Sequence, residues 1–143
     1  MSGQKGRLAR CFRCIYVWRV RRAARPKVCP RCKSGLYAVP KIRPIVLGRG
    51  LGIEQVLGPH REAILRIAHN HGARNVRVFG SVRRRAARAD SDVDLLVEWV
   101  RGSDRVHLAT ALEGLIGRRV DIAAPQQLWW AAAPSILAEA VPL

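Results

Sequence analysis

Two carboxylates stand at the centre of the chemistry this chain can do. Asp92 and Asp94 flank a single residue in the strand-like stretch Asp92–Val100. Side chains two apart on a strand share a face, so the pair presents two like charges side by side. Such charges repel unless a cation lies between them. Mg²⁺ suits the role, because it takes hard oxygen ligands and divides itself between carboxylates and substrate phosphates. Ten residues before the pair lies Gly80-Ser81. A glycine lets backbone approach a phosphate closely, and a serine adds a hydroxyl and an N–H. A third carboxylate, Asp121, sits between Val120 and Ile122 in another strand-like stretch. It can reach the same metals or take the proton from an attacking hydroxyl. Arg84 and Arg88 follow the Gly-Ser turn and can neutralise phosphate charge, although a solvated basic loop reads the same way. An Asp-x-Asp pair alone is often a turn and cap; the combination is what points to nucleotide chemistry.

A second group is made of sulfur. Cys11-x2-Cys14 and Cys29-x2-Cys32 are the only cysteines, separated by 14 residues. Two such hooks place four thiolates around a tetrahedral ion of zinc size, with no position open for a reacting water. The reading is a structural zinc that supplies the folding energy a tiny core cannot. Tyr16, Trp18 and Tyr37 either pack over this site or stack on bases.

The elements that position these groups fall into two parts. Residues 1–53 carry 14 Lys/Arg and no Asp or Glu, whereas residues 54–143 carry 12 basic and 10 acidic residues. The front third is therefore a polycation, suited to nucleic acid or to an acidic partner, and its basic side chains can contact phosphates or merely face solvent. The break is expected in PIVLGRGLGI, where Gly48, Gly50 and Gly52 read as flexible. The expected organisation is a zinc-binding segment over 1–44, a Gly-rich linker over 45–53 and one compact domain over 54–143.

Within that domain Pro59 opens a helix bearing Ala63, Ile64, Ile67 and Ala68, and Gly72 stops it. Asn75–Phe79 is strand-like, and Gly80–Ser91 a loop or short helix. Ser103 or Asp104 caps a helix with the face Leu108, Leu112, Leu115 and Ile116, ended by Gly117. Arg119–Ala123 is a third strand. Pro125 opens a segment holding Trp129 and Trp130; the pair can form a partner surface, and at least one of them is expected in the core. Ile136, Leu137, Ala140 and Val141 mark a last small helix. The fold class is α+β with a small sheet. No apolar run reaches the ~20 residues that span a bilayer, and the polar start MSGQKGRLAR has no signal core, so a cytoplasmic protein is expected.

Two resemblances sharpen these expectations. CFRCIYVWRVRRAARPKVCPRCKSGLYAVPK resembles the zinc-ribbon family, with Ile15 where many ribbons have glycine. RVFGSVRRRAARADSDVDLLVEW, GRRVDIAAP and ILAEAVPL resemble the minimal nucleotidyltransferases of the DNA polymerase β superfamily over residues 55–143. That resemblance implies a polymerase β-like core, a small mixed sheet with flanking helices. It implies that Gly80 and Ser81 form the triphosphate turn and that Asp92, Asp94 and Asp121 bind Mg²⁺. It also implies an antitoxin that transfers AMP from ATP to a tyrosine of a HEPN-type toxin. Arg84 matches the arginine of the family's Arg-Gly, and Arg85 replaces its glycine; a positive φ at Arg85 would carry strain. The alternative is an antitoxin that neutralises by docking, with its ribbon on operator DNA or RNA.

Overall fold

The computed structural model describes residues 6–100 and 104–143. The chain forms two compact units, Met1–Arg43 and Pro44–Leu143. Among the described residues no helix is long and apolar enough to cross a membrane.

The first unit is a two-stranded antiparallel ribbon, β1 (Leu8–Arg10) against β2 (Val17–Arg19), with Ala9 opposite Trp18. Its core is minimal. Cys11, Cys29 and Tyr37 are buried, and Trp18 and Ala38 pack against them. The Tyr37 hydroxyl donates to the Pro26 carbonyl at 2.9 Å, which satisfies its polar end. Trp18 meets Tyr37 edge-on at 5.2 Å and stacks on the half-exposed Tyr16 at 6.0 Å. Packing is thus the observed role of Trp18 and Tyr37.

The second unit is a four-stranded mixed sheet whose neighbours in order are Val120–Ala123 (β5), Val93–Trp99 (β4), Ala73–Phe79 (β3) and Val141–Pro142 (β6). β3 and β4 are antiparallel, and β4 and β5 are parallel. The parallel pair is joined by α4 (Arg105–Ile116), as a crossover demands. The sheet buries Val78, Val93, Leu95, Val97, Val120 and Ile122 against Ile64 and Ala68 of α2 (Arg61–Asn70) and Leu108 and Leu112 of α4. The helical spacing of those apolar residues is what turns one stripe of each helix onto the sheet. Gly72 and Gly117 lie at φ 78° and 73°, the left-handed conformation that ends α2 and α4 where the sequence placed the stops. Short helices α1 (Ile53–Val56) and α3 (Gly80–Arg83), and α5 (Ala133–Glu139), complete the unit. Pro59 sits in a 3-10 turn just ahead of α2.

Three expectations are corrected. The last helix ends at Glu139; Val141–Pro142 form β6, antiparallel to β3 with Val141 opposite Val78. The apolar pair Ala140-Val141 continues a helical spacing in sequence, but the sheet edge beside β3 takes it. Residues 48–51 are not a free linker. The Gly48 and Gly50 N–H groups donate to the Arg84 and Arg85 carbonyls, both at 2.7 Å, and Leu51 forms a bridge with Ala87. A Cβ on Gly48 would meet the Arg85 oxygen at 2.6 Å, so close backbone approach, not flexibility, explains this glycine. Asp104 is at the cap position of α4 but makes no side-chain cap bond. Its carboxylate instead meets the Nδ1 atoms of His71, at 3.0 Å, and His107. Those contacts hold the Asp104 carboxyl below the usual range, His107 contributing most. Ser103, the other expected cap, lies outside the described residues.

Candidate active site

The strand register brings the candidate carboxylates to one end of the sheet. Asp94 is level with Asp121 across the parallel β4–β5 pair, and with Phe79 across β3–β4. Phe79 leads into Gly80, so the Gly-Ser turn starts beside Asp94. Asp92 precedes β4 and is exposed, as is Asp121; Asp94 is half-buried. Burial pushes the Asp94 carboxyl up to about 6, and the charges of Asp121 and Asp92 push the same way. Arg84 pulls it back down and Glu139 adds to the rise. The carboxylates are thus close enough to repel. With Asp92 and Asp121 exposed, the set leaves room for substrate oxygens among the ligands of a hard cation.

Gly80 has φ 74°, a conformation open to glycine without strain. A Cβ on it would collide with Oδ2 of Asp94. The turn and the carboxylate are therefore in backbone-to-side-chain contact, which only glycine permits. Ser81 is half-buried in α3, and its carbonyl accepts from the Ala86 N–H at 2.9 Å.

Arg84 is paired with an acidic residue. Its Nη1 lies 3.0 and 3.1 Å from the two carboxylate oxygens of Glu139. The Gly80 N–H donates to Oε1 of the same carboxylate at 2.8 Å, and Arg83 Nε donates to the Glu139 carbonyl at 3.1 Å. Arg88 is exposed in the loop that leads to Asp92. That loop is held by two residues the sequence did not single out. Ser91 Oγ accepts from the Arg88 N–H at 2.8 Å, and Arg118 Nη1 donates to the carbonyls of Arg88 and Ser91 at 2.6 and 3.2 Å. Arg118 was legible only as one arginine among many. Arg85 adopts φ 55°, a left-handed backbone that glycine would hold without strain.

In the first unit, the Sγ atoms of Cys11, Cys14, Cys29 and Cys32 all lie within 4.8 Å of one another. The Cys11–Cys32 and Cys14–Cys29 pairs are each 3.7 Å apart. Zn–S bonds of about 2.3 Å in a tetrahedron put sulfurs about 3.8 Å apart, so the cluster is sized for a metal ion. Both hooks are built alike. The Ile15 N–H donates to the Cys11 carbonyl at 2.8 Å, and the Lys33 N–H to the Cys29 carbonyl at 2.9 Å. Ile15 and Lys33 have φ 63° and 61°, so each hook closes through a left-handed residue. Burial pushes the Cys14 thiol up. It works the same way on Cys29, but the Cys32 and Arg31 backbone contacts hold that thiol below its ordinary value.

Residues 60–143 match the sequence profile of the nucleotidyltransferase domain. The chain belongs to this family, and it is a nucleotidyltransferase. Protein adenylyltransferase MntA of Thermococcus cleftensis is 35% identical over 92 residues, which cover 62% of this chain and 90% of that one. A solved structure assigned as a minimal nucleotidyltransferase is 46% identical, with a TM-score of 0.57, covering 67% of this chain and all of its own. A toxin–antitoxin structure with AMP-PNP shares the fold at 16% identity and a TM-score of 0.50, covering 57% of this chain and 69% of that one. The expected fold class, an α+β polymerase β-like core, is the one observed.

Proposed function

We propose that the protein is a Mg²⁺-dependent antitoxin that transfers AMP from ATP to a tyrosine of a HEPN-type toxin. The observation that carries the reading is the juxtaposition of Gly80 with Asp94, level with Asp121. The family supports nucleotidyl transfer, and the MntA relative, named a protein adenylyltransferase, supports a protein as acceptor.

The donor set fits Mg²⁺: it is all oxygen, two of its three carboxylates are exposed, and burial first and the neighbouring Asp121 and Asp92 charges second raise Asp94. Asp92, Asp94 and Asp121 would hold the metal, which supplies charge neutralisation on the phosphates and polarises the reacting oxygens. Gly80 and Ser81 bind and orient the β- and γ-phosphates through the turn. Asp121, exposed at the strand end, faces the incoming hydroxyl and takes its proton or orients its oxygen. The hydroxyl oxygen bonds to the α-phosphorus, the bond from that phosphorus to the bridging oxygen breaks, and pyrophosphate leaves with the electron pair. Arg88 lies in the loop before Asp92 and contributes positive charge to phosphate binding. The four cysteines hold a structural zinc, and the setting is the cytoplasm, where thiols remain reduced.

A test is to incubate the protein with a cognate HEPN-type toxin, ATP and Mg²⁺, and to map the product by peptide mass spectrometry. A tyrosine carrying AMP supports the reading. An unmodified toxin that is nonetheless neutralised refutes it and supports the second reading.

In that second reading the protein neutralises by docking, and the ribbon binds DNA or RNA. Arg85 at φ 55° and a surface pocket lined by Arg7, Arg10, Arg25 and Phe12 favour it. It predicts nucleic-acid binding that weakens steeply with salt.

A further inference from the structure

We infer that Glu139 is a positioning residue of the nucleotide site: its carboxylate sets the Gly80–Ser81 turn against Asp94 and fixes where Arg84 points. The inference rests on the nucleotide reading above and deepens it. Glu139 lies 59 positions from Gly80 in sequence, at the end of α5. Its side chain is only 12% exposed, so its charge needs compensation at close range. Arg84 Nη1 supplies that compensation by contacting both oxygens, and the Gly80 N–H supplies a further donor. One carboxylate thus grips two groups on either side of Ser81, the backbone that leads into the turn and the arginine that leaves it. The Glu139 main-chain carbonyl adds a third hold through Arg83 Nε.

The consequence reaches the candidate metal site through Gly80. With no Cβ, Gly80 lies directly against Oδ2 of Asp94, so any shift of its backbone moves against that carboxylate. Glu139 therefore determines how the turn stands relative to Asp94. Arg84, committed on one edge of its guanidinium, is aimed by Glu139 before any phosphate arrives. Pre-aimed donors cost less to order when the ligand binds.

A purely structural role would make Glu139 a fastener for α5 and nothing more. Four full-length variants separate the two: Glu139→Ala, Glu139→Gln, Arg84→Ala and the double Glu139→Ala/Arg84→Ala. The readouts are MgATP affinity by calorimetry, KM and kcat for AMP transfer, and fold by circular dichroism. Hydrogen bonds to charged groups correspond to roughly a tenfold change. We expect Glu139→Ala to raise Kd and KM for ATP about tenfold with kcat much less affected. Glu139→Gln keeps an oxygen acceptor for Gly80 and recovers most of the loss. The double variant binds no worse than Glu139→Ala, because Arg84 contributes to binding only while Glu139 aims it. If Glu139→Ala does not fold, the wild type, Glu139→Gln and Arg84→Ala carry the test: Glu139→Gln should stay within about threefold of the wild type while Arg84→Ala loses affinity. Unchanged ATP affinity in Glu139→Ala with a lower Tm, or effects of the two alanines that multiply, overturns the inference. Failure of the wild type to take up MgATP overturns the nucleotide reading with it, whereas wild-type uptake beside an unaffected Glu139→Ala overturns this inference alone.

Discussion

Oδ2 of Asp94 occupies the space in which a Cβ on residue 80 would stand, so Gly80 and Asp94 are fitted to each other as backbone and carboxylate. Gly80→Ala meets two obstacles at once, a side chain at φ 74° and a collision with Asp94. The expected cost is about 2 kcal/mol of stability or more, read as a lower urea midpoint, together with loss of MgATP uptake. Unchanged stability and affinity in the alanine variant would contradict the fit.

The raised Asp94 carboxyl links pH, metal and stability. Its folded value of about 6 lies above the ordinary 3.8, so between those values the folded state holds a proton that the unfolded chain has lost. The stability this provides is fully present below the unfolded value and is lost as pH rises through about 6. Metal-free protein should therefore lose stability from pH 4 to pH 7. Asp94→Asn should gain roughly 1 kcal/mol at pH 7 without metal, a figure kept small because solvent reaches Asp94. Mg²⁺ reverses the relation: it should raise Tm at pH 7.5 and do little at pH 5. Thermal melts with and without Mg²⁺ across this range check both signs.

Ile15 and Arg85 are two of the four described side-chain-bearing residues with left-handed backbone that glycine would hold without strain. Ile15, at φ 63°, is half-exposed and closes the first cysteine hook; Arg85, at φ 55°, ends the turn after Arg84. The left-handed region costs a side chain about 1–2 kcal/mol, and glycine's greater freedom when unfolded returns part of that. Ile15→Gly should slow metal loss to a chelator competitor, and Arg85→Gly should raise the urea midpoint by about 0.5–1 kcal/mol in stability. A drop in either would show that side-chain contacts outweigh the strain.

What the sequence disclosed follows from how local its signals are. The Gly-Ser turn, the Asp-x-Asp pair and the two cysteine hooks are short motifs whose spacing alone implies a geometry. Asp121 was legible because alternation with Val120 and Ile122 placed it on a strand, and parallel pairing then set it level with Asp94. Glu139 was invisible, because a single glutamate near a terminus carries no spacing signal and acts on residues 55 and 59 positions away. The same holds for His71 and Asp104, which meet across α2 and α4. β6 was misread because two apolar residues satisfy a helical stripe as well as a sheet edge. Gly48 reads as flexibility in sequence, yet it serves close backbone contact with Arg85, a distinction only neighbours can make.

The central claim is that the Gly80 turn and the carboxylates of Asp92, Asp94 and Asp121 together bind a magnesium nucleotide. Calorimetric titration of the full-length protein with ATP, with and without Mg²⁺, tests it directly beside the double variant Asp92→Ala/Asp94→Ala. The account predicts saturable uptake by the wild type that requires Mg²⁺, and none by the variant. Equal uptake by both proteins, or none by the folded wild type, would contradict it.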